Sequence, residues 1–267
     1  MAHVAPALLA VKSAVVLAWF LLLFTGERLR PAARPGGAWR WDGARLSRNG
    51  ILWLINVIGS LLIVVPLTAW AARRGLPWRP AFWHGGPGLA LDLVLLDFLI
   101  YWWHRATHRI PFLWRFHSVH HLDRFLDTST AVRFHFGEVI LAALARAAVV
   151  VALAFPLSSV LVFETLVLCA TFFHHSNLRL PPRLEAALAR VIITPSIHWV
   201  HHHAVQRDTD SNYGTVLSVW DPLFGSRNRW TRRTPEMAIG VERADELPLL
   251  ALLLRPFRPV AARPGQR

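Results

Sequence analysis

The chain has 267 residues, 54% hydrophobic and 17% charged, where soluble domains run at roughly 45–50% apolar and about 25% charged. That balance points to a membrane protein, and with no linker or compositional break a single domain over residues 1–267 is expected. The net charge of +13 is carried by arginines lying mostly between and after apolar segments. Loops under the positive-inside rule carry charge this way, and no aromatic-basic module accompanies it, so nucleic acid is not an expected partner. The lone Cys169 excludes a disulfide framework or an iron–sulfur centre within one chain.

In chain order, Val4 to Phe24 and Ile51 to Ala72 are apolar enough and, at about 20 residues, long enough to cross a bilayer. The first lacks a charged leader or a cleavage site and is expected to remain as a span. Leu89 to Trp103 is shorter and carries Asp92 and Asp97. Gly137 to Phe155, with Arg146, and Leu157 to Phe173 flank Pro156, which predicts a reversal and a helical hairpin. Interfacial helices are expected near Arg183 to Ile193 and Leu247 to Leu254. Trp39, Trp41, Trp78 and Trp83, near span ends, fit membrane interfaces. Six arginines between Glu27 and Arg48, against three between Arg73 and Gly88, put the former loop in the cytoplasm. Alternation then places residues 104–136 and everything after Phe173 on that side. The predicted class is all-α: a multi-span bundle with a cytosolic helical cap.

Nine of the 14 histidines fall within residues 104–121 and 198–203. His104 and His108 form H-x-x-x-H; His117, His120 and His121 form H-x-x-H-H, repeated by His198, His201 and His202. Positions i, i+3 and i+4 share a helix face, so each motif is expected to present its imidazoles in one direction. Eight imidazoles exceed the needs of one ion, and two ions with open positions would use them all. Imidazole alone does not name the metal. Oxidising an unactivated C–H bond of an apolar substrate needs O2 and a redox metal, which favours iron over zinc. Haem ligation predicts isolated histidines deep in two spans, and a zinc hydrolase predicts H-E-x-x-H; neither pattern is present. A non-enzymatic metal-binding or transport protein is the alternative from another class. Asp97, Tyr101, His104 and His108 stack along one helix face, and Asp97 is expected to partner a histidine.

These residues resemble a known family. Asp97-x-x-x-Tyr101-x-x-His104-Arg105-x-x-His108, Pro111, Leu113-Trp114-Arg115-Phe116-His117-x-x-His120-His121 and Arg133-Phe134-His135-x-x-Glu138 are similar to the fatty acid hydroxylase/sterol desaturase superfamily. So are His175-x-Asn177, Thr194-Pro195, His198-x-x-His201-His202, Asp210-Ser211-Asn212-Tyr213-Gly214 and Trp220-Asp221-x-Leu223-Phe224-Gly225. The resemblance covers residues 90–227. It implies a di-iron centre held by the eight motif histidines, with His175, or His174 beside it, as a further ligand. His135 matches an Arg-Phe-His element, although Phe136 stands where that family has proline. Asn212, Tyr213 and Asp221 match a tail signature that orients ligands or closes the site, while Tyr213, Trp220 and Phe224 equally suit packing. The implied activity is hydroxylation or desaturation of a fatty acyl, sterol or related lipid using O2 and external electrons. The chain has no nucleotide-binding motif, so a separate ferredoxin, cytochrome or reductase is the expected donor, docking on an arginine-rich cytoplasmic face. The cell membrane is the expected location.

Overall fold

The computed structural model describes residues 4–34, 42–228 and 237–258. Trp39 and Trp41 lie outside the described residues. These residues form helices and isolated bridges, with no strand among them. Five helical stretches are long and apolar enough to cross a membrane, which makes the protein multi-pass.

Helix α1 runs over Val4–Leu29. Helix α2, Gly43–Gly59, starts where the Asp42 carboxylate accepts the Arg45 N–H at 3.0 Å, which satisfies one of the helix's orphan donors. It continues through a π turn at Ser60–Val64 into α3, Val65–Arg73. Pro66 near the start of α3 has no N–H and would clash with the carbonyl four residues back, and the wider turn accommodates both effects.

Helix α4, Gly85–Arg109, outruns the apolar segment read from sequence and carries His104 and His108 on its last turns. Helix α5 is Pro111–His121. Helices α6, Phe136–Leu153, and α7, Leu157–His175, form the expected hairpin, turned by Ala154 in the left-handed region at φ 51°. Short helices follow: α8, Pro182–Leu188; α9, Pro195–His201; α10, Gln206–Thr209; α11, Trp220–Leu223; and α12, Leu249–Leu254. The first overlaps the segment expected at Arg183 to Ile193, and the last falls within Leu247 to Leu254.

Most apolar side chains of the spans face outward. Only 11% of the apolar window is buried in α1 and in the α2–α3 stretch. Leu17, Leu22, Leu61 and Leu62 are more than half exposed, so lipid is the solvent these helices are built for. The interior contacts gather Ala71, Leu96, Ala147, Val150, Phe155, Val160 and Phe163 between the helices.

The two ends of the bundle differ. At one end Asp92 accepts from Arg79 (2.8 and 2.9 Å), the Trp83 indole (2.8 Å) and Ser159 Oγ (2.6 Å), tying the Arg74–His84 loop to α4 and α7. Trp83 is therefore buried in this knot rather than anchored at an interface, while Trp78 is exposed. At the other end lie the clustered histidines with residues 30–34, 110–135 and the described residues after His175. Buried polar contacts join these connections. Arg45 spans Asp123 and Asp127, Glu27 accepts from the Thr128 and Asn177 N–H groups, and Arg133 reaches Asn49 and Glu246. Helix α12 closes the end by packing Leu252 on Leu52, Val119 and Leu122.

Candidate metal centre

Two groups of imidazoles converge at this end. His104, His108, His117, His121 and His201 bring one ring nitrogen each within 4.8 Å of one another; so do His120, His175, His198 and His202. The groups abut: the rings of His121 and His202 stack at 4.2 Å. Each H-x-x-H-H motif is thus shared between groups rather than aimed one way. Helix geometry explains the split. At about 100° per residue, positions i and i+4 lie about 40° apart, while i+3 lies about 60° to the other side. His117 and His121 accordingly face the first group and His120 the second, whereas His198 and His202 face the second and His201 the first.

Hydrogen bonds fix which nitrogen points inward. Backbone carbonyls only accept, so a ring nitrogen facing one must carry the proton. His104 Nδ1 donates to Tyr213 O at 2.8 Å and His201 Nδ1 to Ser211 O at 2.6 Å. His120 Nδ1 donates to Arg133 O at 3.2 Å and His175 Nδ1 to Thr171 O at 2.8 Å. His117 Nδ1 donates to the Glu138 carboxylate at 2.7 Å. His108 Nδ1 lies 3.6 Å from Asp210. In the five rings whose Nδ1 donates, Nε2 is left as a bare lone pair.

A cation fits this arrangement and a hydrogen-bonded cluster does not. The Nε2 atoms of His120 and His175 stand 3.0 Å apart, as do those of His175 and His198, with His198 and His202 at 3.1 Å. His120 and His175 already hold their protons at Nδ1, so their facing nitrogens are both acceptors and repel. Nitrogens about 2.0–2.1 Å from one ion sit at roughly this spacing. In the first group the buried Nε2 atoms of His117 and His201, and both nitrogens of His121, have no hydrogen-bond partner. Coordination resolves what is otherwise a costly set of buried polar atoms. Burial, reinforced by the neighbouring imidazoles, holds His120, His121, His198 and His202 well below the ordinary histidine range. Burial and His104 do the same for His201. All five are neutral and competent as ligands near pH 7. The converging donors are all imidazoles, so the carboxylates one layer out, Glu138 and Asp210, would offset the charge of bound cations.

The remaining sequence candidates lie around the two groups. His174 is buried with its ring 4.0 Å from that of His198, but it is not among the converging nitrogens. His135 spends both nitrogens on structure: Nδ1 accepts the Gly137 N–H at 2.9 Å and caps α6, and Nε2 meets Leu253 O at 3.0 Å. Asp97 touches no histidine. Seven residues from His104 is about 10 Å along a helix, beyond a carboxylate's reach. Its oxygens instead accept from the Val216 and Leu217 N–H groups (3.2 and 3.0 Å) and the Trp220 indole (2.8 Å).

Asp221 accepts from the Tyr213 and Gly214 N–H groups (2.7 and 2.9 Å) and from Ser226 Oγ (2.7 Å). Tyr101 shares a 2.7 Å hydrogen bond with Ser226 Oγ. Asn212, at φ 54°, donates to Ile197 O at 3.2 Å and accepts the Asn228 N–H at 2.9 Å. Together with Asp97, these three residues clamp the loop whose Ser211 and Tyr213 carbonyls orient His201 and His104. Sequence reading missed Glu138 as a partner of His117, although one α6 turn beyond the Arg-Phe-His element is a position from which it could be sought. Glu138→Gln keeps the shape and loses the charge. It is expected to weaken metal retention about 10- to 100-fold, read as the chelator concentration that strips half the metal.

Fold and site together define a helical membrane protein with a buried, all-imidazole cluster that could hold metal ions. The chain belongs to the fatty acid hydroxylase family, whose model matches residues 89–226. That makes it a membrane-bound, lipid-modifying oxidoreductase. It is 26% identical to an ornithine lipid hydroxylase of Rhizobium tropici over 265 residues, 93% of this chain and 78% of that protein. It is 31% identical to an alkylglycerol monooxygenase of Caenorhabditis elegans over 172 residues, 64% of this chain and 32% of that protein. A very-long-chain aldehyde decarbonylase of Arabidopsis thaliana is 27% identical over 222 residues, 78% of this chain and 32% of that protein. The chain thus spans only about a third of the latter two. No solved structure matches it significantly.

Proposed function

We propose that this chain is a di-iron oxygenase that hydroxylates or desaturates a bilayer-resident lipid, acting throughout as a single domain. The observation that carries this reading is the pair of buried nitrogen cages, five and four imidazoles, at one end of the spans. His104, His108, His117, His121 and His201 would hold one iron, and His120, His175, His198 and His202 the other. Bound iron supplies redox chemistry with O2 strong enough to oxidise an unactivated C–H bond, which zinc lacks.

The residues around the cages have their own tasks. Glu138 and the Ser211, Tyr213, Thr171 and Arg133 carbonyls hold protons at Nδ1, so each ring keeps one orientation. Asp97, Tyr101, Asn212 and Asp221 position the 211–226 loop. The buried cap excludes bulk water, a condition for oxidising a substrate rather than losing the oxidant to solvent. Metal transport, the rival, expects ligands near the bilayer midplane, whereas these gather at one end.

The arginine-rich loops lie at the histidine end, which supports a cytoplasmic site in the cell membrane under the positive-inside rule. They also suit an acidic ferredoxin, cytochrome or reductase as electron donor. The purified chain from iron-replete cells is expected to hold about two irons, one for each group. Cells expressing it are expected to gain oxidised or unsaturated lipids that cells expressing His120→Ala lack. Zinc alone, or identical lipid profiles, would count against the reading.

A further inference from the structure

A cleft of about 440 Å³ lies at the same end of the bundle, outside the two nitrogen groups. Three arginines, Arg179, Arg190 and Arg227, line it, and none has an ion-pair partner among the described residues. Thr194 lines it too. Its side chain is fully buried, and its hydroxyl has no hydrogen-bond partner among the described residues. A buried hydroxyl without a partner is a costly feature that a ligand oxygen would relieve. The one carboxylate in the lining, Glu185, is occupied in part by the Ser196 N–H at 3.0 Å. The rest of the wall is mostly apolar.

The cleft is built on the backbone that carries the second nitrogen group. Thr194 O accepts the His198 N–H at 3.1 Å. Asn177, two residues beyond His175, holds the cleft residue Ala33 through both its N–H and its carbonyl, at 2.9 and 2.8 Å. A group seated here is therefore registered against His175 and His198.

We propose that this cleft receives the anionic head of the lipid substrate, a phosphate or carboxylate oxyanion taken between Arg179, Arg190 and Arg227 with Thr194 donating. Arginines grip such oxyanions with paired charge-assisted hydrogen bonds. The apolar wall takes the first carbons of the chain. This rests on the lipid-oxygenase reading and adds a substrate class to it.

The test is equilibrium binding to the full chain in detergent, with no turnover. The probes are dihexanoyl phosphatidic acid, dihexanoyl phosphatidylcholine and inorganic phosphate. Phosphatidic acid is expected to bind roughly tenfold more tightly than either of the others. The Arg179→Gln/Arg190→Gln pair, both exposed and so tolerable to the fold, is expected to lose about tenfold, and Thr194→Val about threefold. Equal affinity for the two lipids, or binding unchanged in the double variant, overturns the proposal. Phosphate binding as tightly as phosphatidic acid would make this a free-anion site and overturn it as well. Arginine-dependent binding in a chain that oxidises no lipid would defeat the oxygenase reading alone. Iron-dependent lipid oxidation with no preference for the acidic head would defeat the cleft alone.

Discussion

His175→Ala is expected to abolish lipid oxidation, with activity at least about 100-fold down and close to one iron lost per chain. His175 Nε2 sits between its neighbours, 3.0 Å from the Nε2 atoms of both His120 and His198. Removing it takes one of four donors and the link between α5 and α9, and the neutral ligands that remain cannot compensate. Partner residues one layer out are worth 10- to 100-fold in metal affinity, so a ligand should exceed them. The readout is elemental analysis beside the lipid profile. His203→Ala is the control: His203 bonds Asp208 at 2.7 Å and lies outside both groups, so its iron should stay. Full iron and activity in His175→Ala would remove it from the ligand set.

The second large effect is on stability. The Arg45 guanidinium is buried and donates to Asp123 (2.6 and 3.0 Å), to Asp127 (2.8 and 3.0 Å), to Phe125 O (2.9 Å) and to Thr130 Oγ1 (3.0 Å). Arg45→Met leaves two buried carboxylates facing each other, and breaking a buried pair in this way costs about 3–5 kcal/mol. The thermal midpoint in detergent is expected to fall by roughly 10 °C. Arg45→Lys should recover only part of it, because one point charge cannot serve two carboxylates bidentately.

Acid gives an independent check on the same network. Burial pushes the Asp123 carboxyl up, but Arg45 and Arg133 more than reverse this and hold it at about 2. A depressed carboxylate contributes its stability above the ordinary value near 4 and loses it as pH falls toward 2. Wild type should therefore show an acid-sensitive limb between about pH 4 and 2 that Arg45→Met lacks. A midpoint unchanged by the substitution would mean that the network contributes nothing.

Much of this was readable from the chain. The apolar runs located the spans because a bilayer sets a length, and the histidine spacings carried the family resemblance. What the spacing did not reveal was the sharing of each H-x-x-H-H motif between two groups, which needs the i+3 and i+4 directions followed separately around the helix. Asp97 shared a helix face with His104 but not its level along the axis. The partners of four of the converging histidines are backbone carbonyls, which every residue has and no residue type marks. Nothing in the sequence pairs Arg45 with Asp123 and Asp127, 78 and 82 residues away; only the fold brings them into one buried lock.

The carbonyls that hold Nδ1 protons do so whether or not an ion is present, and the inward nitrogens are already free of theirs. Loading these rings displaces none of the Nδ1 protons, which stay with their carbonyl acceptors. The unloaded chain, in contrast, must keep lone pairs facing one another at contact distance. Such a socket favours a permanent occupant over an exchanging one, and the metal should belong to the mature fold rather than visit it.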